Sequence, residues 1–300
     1  MNSTHTHFSY FKGLNALRFI AASLVILMHI RSNQITQGLS ALPDWPIFFK
    51  GLTAVSFFFV LSGFLITYIL LKEIKNTDIV NIKRFYLKRV FRIWPLYFII
   101  IGFGLLFYWY LAPKVGLQFD IDYSKSLALL LYTFFGANLL NSLFHVGGIL
   151  HVTWSIAVEE QFYLFWAPLV KKFKSNIRPV LLLVFITSIL INTLNAFNIF
   201  KLPEGWQLFI HTLQFHYMAI GGWVAFLLFH NAEKLLSNKV FSSKTVQYFI
   251  LSFSGCLLFG YHKNDLLELL LVLPSSLAFA WLIVNVSVNP NKLFVWIIRF

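Results

Sequence analysis

Residues 51–92 read GLTAVSFFFVLSGFLITYILLKEIKNTDIVNIKRFYLKRVFR, and the contrast between the two halves of this stretch decides the fold. From Gly51 to Leu71 there is no Asp, Glu, Lys or Arg. About 20 such residues in an α-helix cross a hydrocarbon core of about 30 Å, and a helix satisfies its own backbone polar groups there. The second half carries Lys72, Lys75, Lys83, Arg84, Lys88, Arg89 and Arg92, the basic bias of a cytoplasmic connection. Apolar windows of spanning length recur at about 14–33, 93–111, 153–170, 179–198, 206–229, 245–260 and 266–286. The expectation is an all-α polytopic membrane protein with about eight transmembrane helices, built as a single integral-membrane domain over residues 1–300.

Composition agrees. Of 300 residues, 58% are hydrophobic and 12% charged, against about a quarter charged in soluble domains. The net charge of +13 does not point to nucleic acid, because the main basic cluster lies between apolar spans. A single cysteine, Cys256, excludes an intrachain disulfide. No glycine-rich phosphate loop is present, which argues against an ATP-driven machine. No Cys/His/Asp cluster has the spacing of a metal site.

A further apolar window, about 126–144, tests the topology. The Lys171-Lys172-Phe173-Lys174 stretch with Arg178 is a second cytoplasmic signature. Between it and the first basic connection, the spans at about 93–111 and 153–170 already return the chain to the cytoplasm. If 126–144 also crossed, the second basic stretch would lie outside. Residues 112–152 are therefore expected to form an external segment whose apolar part is re-entrant or interfacial. The N-terminus is then cytoplasmic, and the first span, which carries Arg18, is not a removable signal peptide.

Few ionisable residues fall inside the apolar windows, and these are functional candidates by default. Arg18 and His29 are eleven residues apart, which returns them to nearly the same helical face about 16 Å apart. The plainer alternative is that Arg18 snorkels to headgroup phosphates and His29 is a hydrogen-bonded packing residue. Histidine suits proton transfer, because its neutral form is populated near pH 7 and its ring both donates and accepts. In Trp154-Ser155-Ile156-Ala157-Val158-Glu159-Glu160-Gln161-Phe162-Tyr163, Ser155, Glu159 and Tyr163 form an i, i+4 stripe. Glu160 points about 100° away, toward a different neighbour. A buried polar network that only fixes helix packing would also account for the two carboxylates. His29 and Glu159 fall at similar depth from the external side, so a pair in which the carboxylate orients the imidazole is feasible. Arg89 and Arg92, at i, i+3, face one way and could grip a phosphorylated ligand through directed guanidinium contacts, or simply signal topology. Ser62-Gly63 permits a close helix contact. His151 could line the external mouth.

These residues together resemble a known family. Leu14-Asn15-Ala16-Leu17-Arg18-Phe19-Ile20-Ala21-Ala22 followed by Met28-His29, Phe59-Val60-Leu61-Ser62-Gly63-Phe64-Leu65-Ile66, Lys88-Arg89-Val90-Phe91-Arg92-Ile93-Trp94-Pro95-Leu96-Tyr97 and Trp154 to Tyr163 are similar, in order, to the motifs of the bacterial membrane acyltransferases often called acyltransferase-3. Its members O-acylate surface polysaccharides and related glycans. The resemblance covers residues 14–168 well; beyond that, Phe215 to Gly222 is similar to a later helix pattern. It implies His29 as general base, Arg18 as an essential first-helix group, Glu159 as the partner carboxylate, and Arg89 and Arg92 as contacts for the acyl donor. The family's first helix usually has Asp-Gly where Asn15-Ala16 stand, and its last helices carry a Ser-Tyr…Tyr…His signature that does not occur before Phe300. The final helix or helices are therefore expected to be missing.

The implied reaction moves an acyl group, acetyl first among the candidates, from a coenzyme A thioester to a hydroxyl of a cell-surface glycan or glycolipid. Acetyl-CoA or another acyl-CoA would be a donor substrate reaching the protein from the cytoplasm, with no resident cofactor and no metal. The expected partners are this donor, the glycan acceptor and the lipids of a bacterial inner membrane, and not nucleic acid. The alternatives are a transporter of a glycan, lipid or acyl unit, or an inactive truncated member. The basic loops and the acidic pair each occur once, so the internal symmetry that would favour a transporter is not visible. The topology has a direct check. In a Cys256-free background, a single cysteine at Asn76 should stay unlabelled by an impermeant reagent on intact cells, and one at Gly116 should label. External labelling of Asn76 would overturn the orientation.

Overall fold

The computed structural model describes residues 11, 13–43, 45–259 and 265–288, and among them the chain forms helices and no strand. In order these are α1 (Leu14–Thr36), α2 (Gly51–Thr77), α3 (Ile82–Leu106), α4 (Lys125–Thr133), α5 (Ala137–Leu143), α6 (Gly148–His151), α7 (Trp154–Phe173), α8 (Arg178–Ala196), α9 (Glu204–Thr212), α10 (Phe215–Ser237), α11 (Lys244–Phe259) and α12 (Asp265–Val288), with shorter helical turns between some of them. Six stretches among the described residues are long and apolar enough to cross a bilayer: Leu14–Thr36, Gly51–Thr77, Ile82–Lys114, Arg178–Ala196, Glu204–Ser237 and Leu270–Ser287. Apolar side chains such as Phe19, Phe91 and Leu183 stand exposed on them, a surface that suits lipid rather than water. The chain is an all-α polytopic membrane protein.

Two of the windows read from the sequence fall outside these six. α7 carries Glu159, Glu160, Lys171 and Lys172 within its 20 residues, and α11 has 16 described residues. The window at 126–144 is broken, as expected for a segment that does not cross. Ser124 Oγ accepts the Leu127 N–H at 3.3 Å and starts α4, which ends before Phe135, a residue in the left-handed region at φ 55°. With nine and seven residues, α4 and α5 are about 14 and 11 Å long, far short of a bilayer's roughly 30 Å core.

The helices gather into two compact units. The first holds α1, α2, the start of α8, and α10 to α12. α2 is its buried centre, with Phe59, Val60, Leu61, Phe64, Ile66 and Leu70 all inaccessible or nearly so. α10 packs against it backbone to backbone: a β-carbon on Gly63 would fall on the Met218 carbonyl, and one on Gly221 on the Val60 carbonyl. Small residues allow this approach where no hydrophobic effect drives helices together, because dispersion grows as the backbones close up. α1 turns Leu14, Leu17, Ala21 and Leu24 into the unit, at the 3- and 4-residue spacing of one helical face.

The second unit holds α3 to α7, the rest of α8, and α9. α3 starts where the Asn81 side chain accepts the Arg84 N–H at 2.9 Å, satisfying one of the orphan donors of a helix start. Its inner face, Tyr97, Ile101 and Leu105, with Tyr108 in the helical turn that follows, forms a core with Tyr132, Phe135, Leu140 and Leu150. Tyr97 donates to the Tyr132 carbonyl at 3.1 Å, and the Tyr108 hydroxyl accepts the Ile149 N–H at 3.0 Å. Gly147, at φ 83°, lies so close to the Tyr108 ring that a β-carbon would collide with it.

Gly63→Val and Gly221→Val should each lower the unfolding temperature of the detergent-purified protein, by the equivalent of about 1–3 kcal/mol or more for overpacking a closed contact. Gly102→Val, at an open position, is the control. Midpoints equal to the parent's in both interface variants would refute the backbone contact.

Candidate active site

The sequence candidates divide between the units. Arg18 and His29 lie on α1 in the first; Arg89, Arg92, Glu159 and Glu160 lie on α3 and α7 in the second. On α1, the buried stripe Leu14–Leu17–Ala21–Leu24 leaves Arg18 and His29 to one side, each half-buried. Arg18 Nη1 donates to Asn15 Oδ1 at 3.0 Å, one turn back. The amide standing where the resembling family has a carboxylate is thus used to hold the guanidinium.

In the second unit, the polar run of α7 is spread over three directions. Tyr163 donates its hydroxyl to Glu159 Oε2 at 2.7 Å, across one helical turn. Glu160 points to α3 instead, where Trp94 Nε1 donates to its Oε2 at 3.3 Å. Its Oε1 is buried with no hydrogen-bond partner among the described residues. The i, i+4 stripe and the divergence of Glu160 toward another helix are as the spacing predicts. Arg89 joins them from α3: its guanidinium lies 5.7 Å from the Tyr163 ring centre and 5.7 Å from that of Phe85, within electrostatic reach of both carboxylates. A cation over a tyrosine whose hydroxyl is bound to a carboxylate is favoured twice, by the ring's electron density and by the charge behind it.

Arg92 differs from Arg89. It is exposed and lines an open groove of about 590 Å³ with Asn81, Lys83, Arg84, Leu87, Lys88 and Phe91. The i, i+3 spacing placed the two arginines on one face, but 60° separates them on the helix, and the edge of the α3 packing falls in that gap. His151 is exposed, and its carbonyl accepts from Asn141 Nδ2 at 2.9 Å.

One part of the arrangement was not anticipated. Gln161, next after the glutamates, donates through Nε2 to the Phe135 carbonyl and to Asn138 Oδ1, both at 2.8 Å, and Asn138 Nδ2 donates to Thr212 Oγ1 at 3.2 Å. This ties α7 to the α4–α5 turn, to α5 and to α9. The signal was present: an amide at position 138 inside an apolar window and another beside two carboxylates each require partners in a dry interior. The sequence does not say which.

Comparison with known proteins places these motifs. Residues 11–300 match a family model described as an acyltransferase domain. A Haemophilus influenzae protein described as uncharacterized is 30% identical over 217 residues, 68% of this chain and 84% of that protein. A Staphylococcus aureus protein whose name provisionally calls it an O-acetyltransferase is 29% identical over 182 residues, 52% of this chain and 24% of its own. The peptidoglycan O-acetyltransferase of Listeria monocytogenes is 28% identical over 160 residues, again 52% of this chain and 24% of its own. The chain thus spans about a quarter of the length of these last two. No solved structure matches it.

Gln161→Leu should destabilise the detergent-purified protein by about 2–6 kcal/mol, because it strands the Phe135 carbonyl and the Asn138 amide oxygen at about 1–3 kcal/mol for each buried group. Thermal unfolding measures it. A midpoint at the parent's value would mean that the network contributes nothing to stability.

Proposed function

The chain belongs to the acyltransferase-3 family, and we propose that it transfers an acyl group, acetyl in the first instance, from a coenzyme A thioester to a hydroxyl of a cell-surface glycan or glycolipid. In this reading it sits in a bacterial inner membrane with its N-terminus in the cytoplasm, where the donor is found. The observation that carries the proposal is the α7 cluster, in which Tyr163 holds Glu159, and Trp94 holds Glu160, beside the inward-turned Arg89. Carboxylates are kept on an apolar helix at a free-energy cost, and a catalytic task explains the cost better than packing, which leucine would serve. The names of the staphylococcal and listerial relatives, both O-acetyltransferases, support a hydroxyl acceptor.

The chemistry follows from the residue types. His29 takes the proton of the acceptor hydroxyl as its oxygen attacks the thioester carbonyl. The C–O bond forms, the C–S bond breaks, and the imidazolium returns the proton to the departing thiolate. The mechanism calls for a carboxylate that fixes the imidazole's working tautomer and stabilises its cation, and Glu159, which accepts from Tyr163, is the residue we propose for that role. Arg18 supplies a fixed positive charge on the same helix as His29. Arg89 and Arg92 contact the donor through planar guanidinium groups, which suit phosphate and carbonyl oxygens better than an ammonium does.

The test follows labelled acetyl from the donor to the surface glycan, with membrane levels of each variant measured alongside. His29→Gln should reduce transfer by about 10²–10⁴-fold, the range for loss of a general base. Glu159→Gln should also be severe, and Glu160→Gln milder, since its amide oxygen still accepts from Trp94. Robust transfer by His29→Gln would sink the mechanism. Normal transfer by Glu159→Gln with a dead Glu160→Gln would exchange the roles of the two glutamates. Substrate movement across the membrane without acyl-bond formation, in the parent protein, would establish a transporter instead. Arg89→Lys and Arg92→Lys keep the charge but lose the planar fork, so donor affinity should fall while insertion is unchanged. Unaltered donor binding in both would leave the arginines as topology signals.

A further inference from the structure

The first turns of α3 carry more positive charge than the proposed reaction uses. Lys83, Arg84 and Lys88 line the open groove with Arg92, and no carboxylate lines it. Arg84, Lys88 and Arg92 repeat at four-residue intervals, as do Lys83, Leu87 and Phe91, so the groove floor is two adjacent helical stripes. The four cations fall within about 14 Å along the axis. Arg89 is turned away toward Tyr163 and takes no part.

Two features narrow the ligand. The converging ammonium and guanidinium groups call for a phosphate-type anion. The apolar residues between them, Phe91 at 77% exposure and Leu87 at 43%, stand open on the same surface. A water-soluble anion would leave these side chains in water. A phospholipid would cover them with its acyl chains while its headgroup meets the cations, the division of labour of an interfacial amphipathic surface. We propose that this face of α3, with Lys83, Arg84 and Lys88 as the headgroup contacts and Leu87 and Phe91 as the acyl-chain contacts, is a binding site for an anionic phospholipid. The site is separate from the acid cluster and does not depend on the acyl-transfer reading, although it borders Arg92, the proposed donor contact.

The experiment uses the full chain in mixed micelles holding either phosphatidylglycerol or phosphatidylcholine, with retained lipid counted by native mass spectrometry. The parent should retain phosphatidylglycerol in preference, and rising salt should weaken the preference. The triple variant Lys83→Gln, Arg84→Gln, Lys88→Gln should lose on the order of 100-fold of it, at the contribution expected per basic residue near an anionic surface. Since those cations also bear on topology, the pair Leu87→Ser, Phe91→Ser, which keeps every charge, is read in the same assay and should weaken retention several-fold. Parent-like retention in the paired variant, or in an inserted triple variant, would overturn the proposal. So would displacement of the retained lipid by coenzyme A, or a triple variant that loses coenzyme A binding in step with lipid, since either would give the groove to the donor's phosphates.

Discussion

A charged or amide side chain inside an apolar helix needs a partner supplied by its own helix or a neighbour, and α7 places three of them in a row. Successive residues of a helix point about 100° apart, so Glu159, Glu160 and Gln161 cannot share one partner. Glu159 is met by Tyr163 on its own helix, Glu160 by Trp94 of α3, and Gln161 by the α4–α5 turn and Asn138. That requirement sets the register of α3 against α7 and anchors the broken helices between them. It also explains how Phe135 can be kept in a left-handed conformation outside glycine: its carbonyl is one of the acceptors that Gln161 needs, and Tyr97 stacks on its ring at 4.7 Å.

α3 separates two uses of positive charge. Its inner face brings Arg89, which also lies over Phe85, to the tyrosine of α7 and within reach of the two carboxylates, where a guanidinium loses water but gains a ring and two nearby anions. Its outer face presents Lys83, Arg84, Lys88 and Arg92 around exposed apolar side chains. One basic run thus serves a dry interior and a wet or lipidic surface, and the packing edge between residues 89 and 92 decides which cation serves which.

The first unit rests on a different constraint. Lipid tails are as apolar as leucine, so helix association within a bilayer relies on close contact. Gly63 and Gly221 let α2 and α10 approach until backbone meets backbone, with Thr67 and Leu181 filling the space beside Gly222. α1 joins through Leu14, Leu17, Ala21 and Leu24, which leaves the stripe bearing Arg18 and His29 outside the tightest packing.

Much of this was legible in the sequence. Spanning length and charge placement alone predict helices and the interruption at 126–144, because a bilayer penalises unsatisfied backbone and unpaired charge so heavily that few alternatives survive. Helical periodicity likewise predicts that Glu159 meets Tyr163 and that Glu160 leaves the stripe, since both are properties of one helix. Periodicity ends where a partner comes from elsewhere in the chain. That Trp94 meets Glu160, that Gln161 holds the Phe135 carbonyl, and that Arg89 turns inward while Arg92 stays outside were decided by which face of α3 and which turn of α4–α5 packed against α7. Those contacts join residues 26 to 74 positions apart, and only the tertiary structure sets them, because a helix specifies the directions of its side chains but not what lies at the end of each.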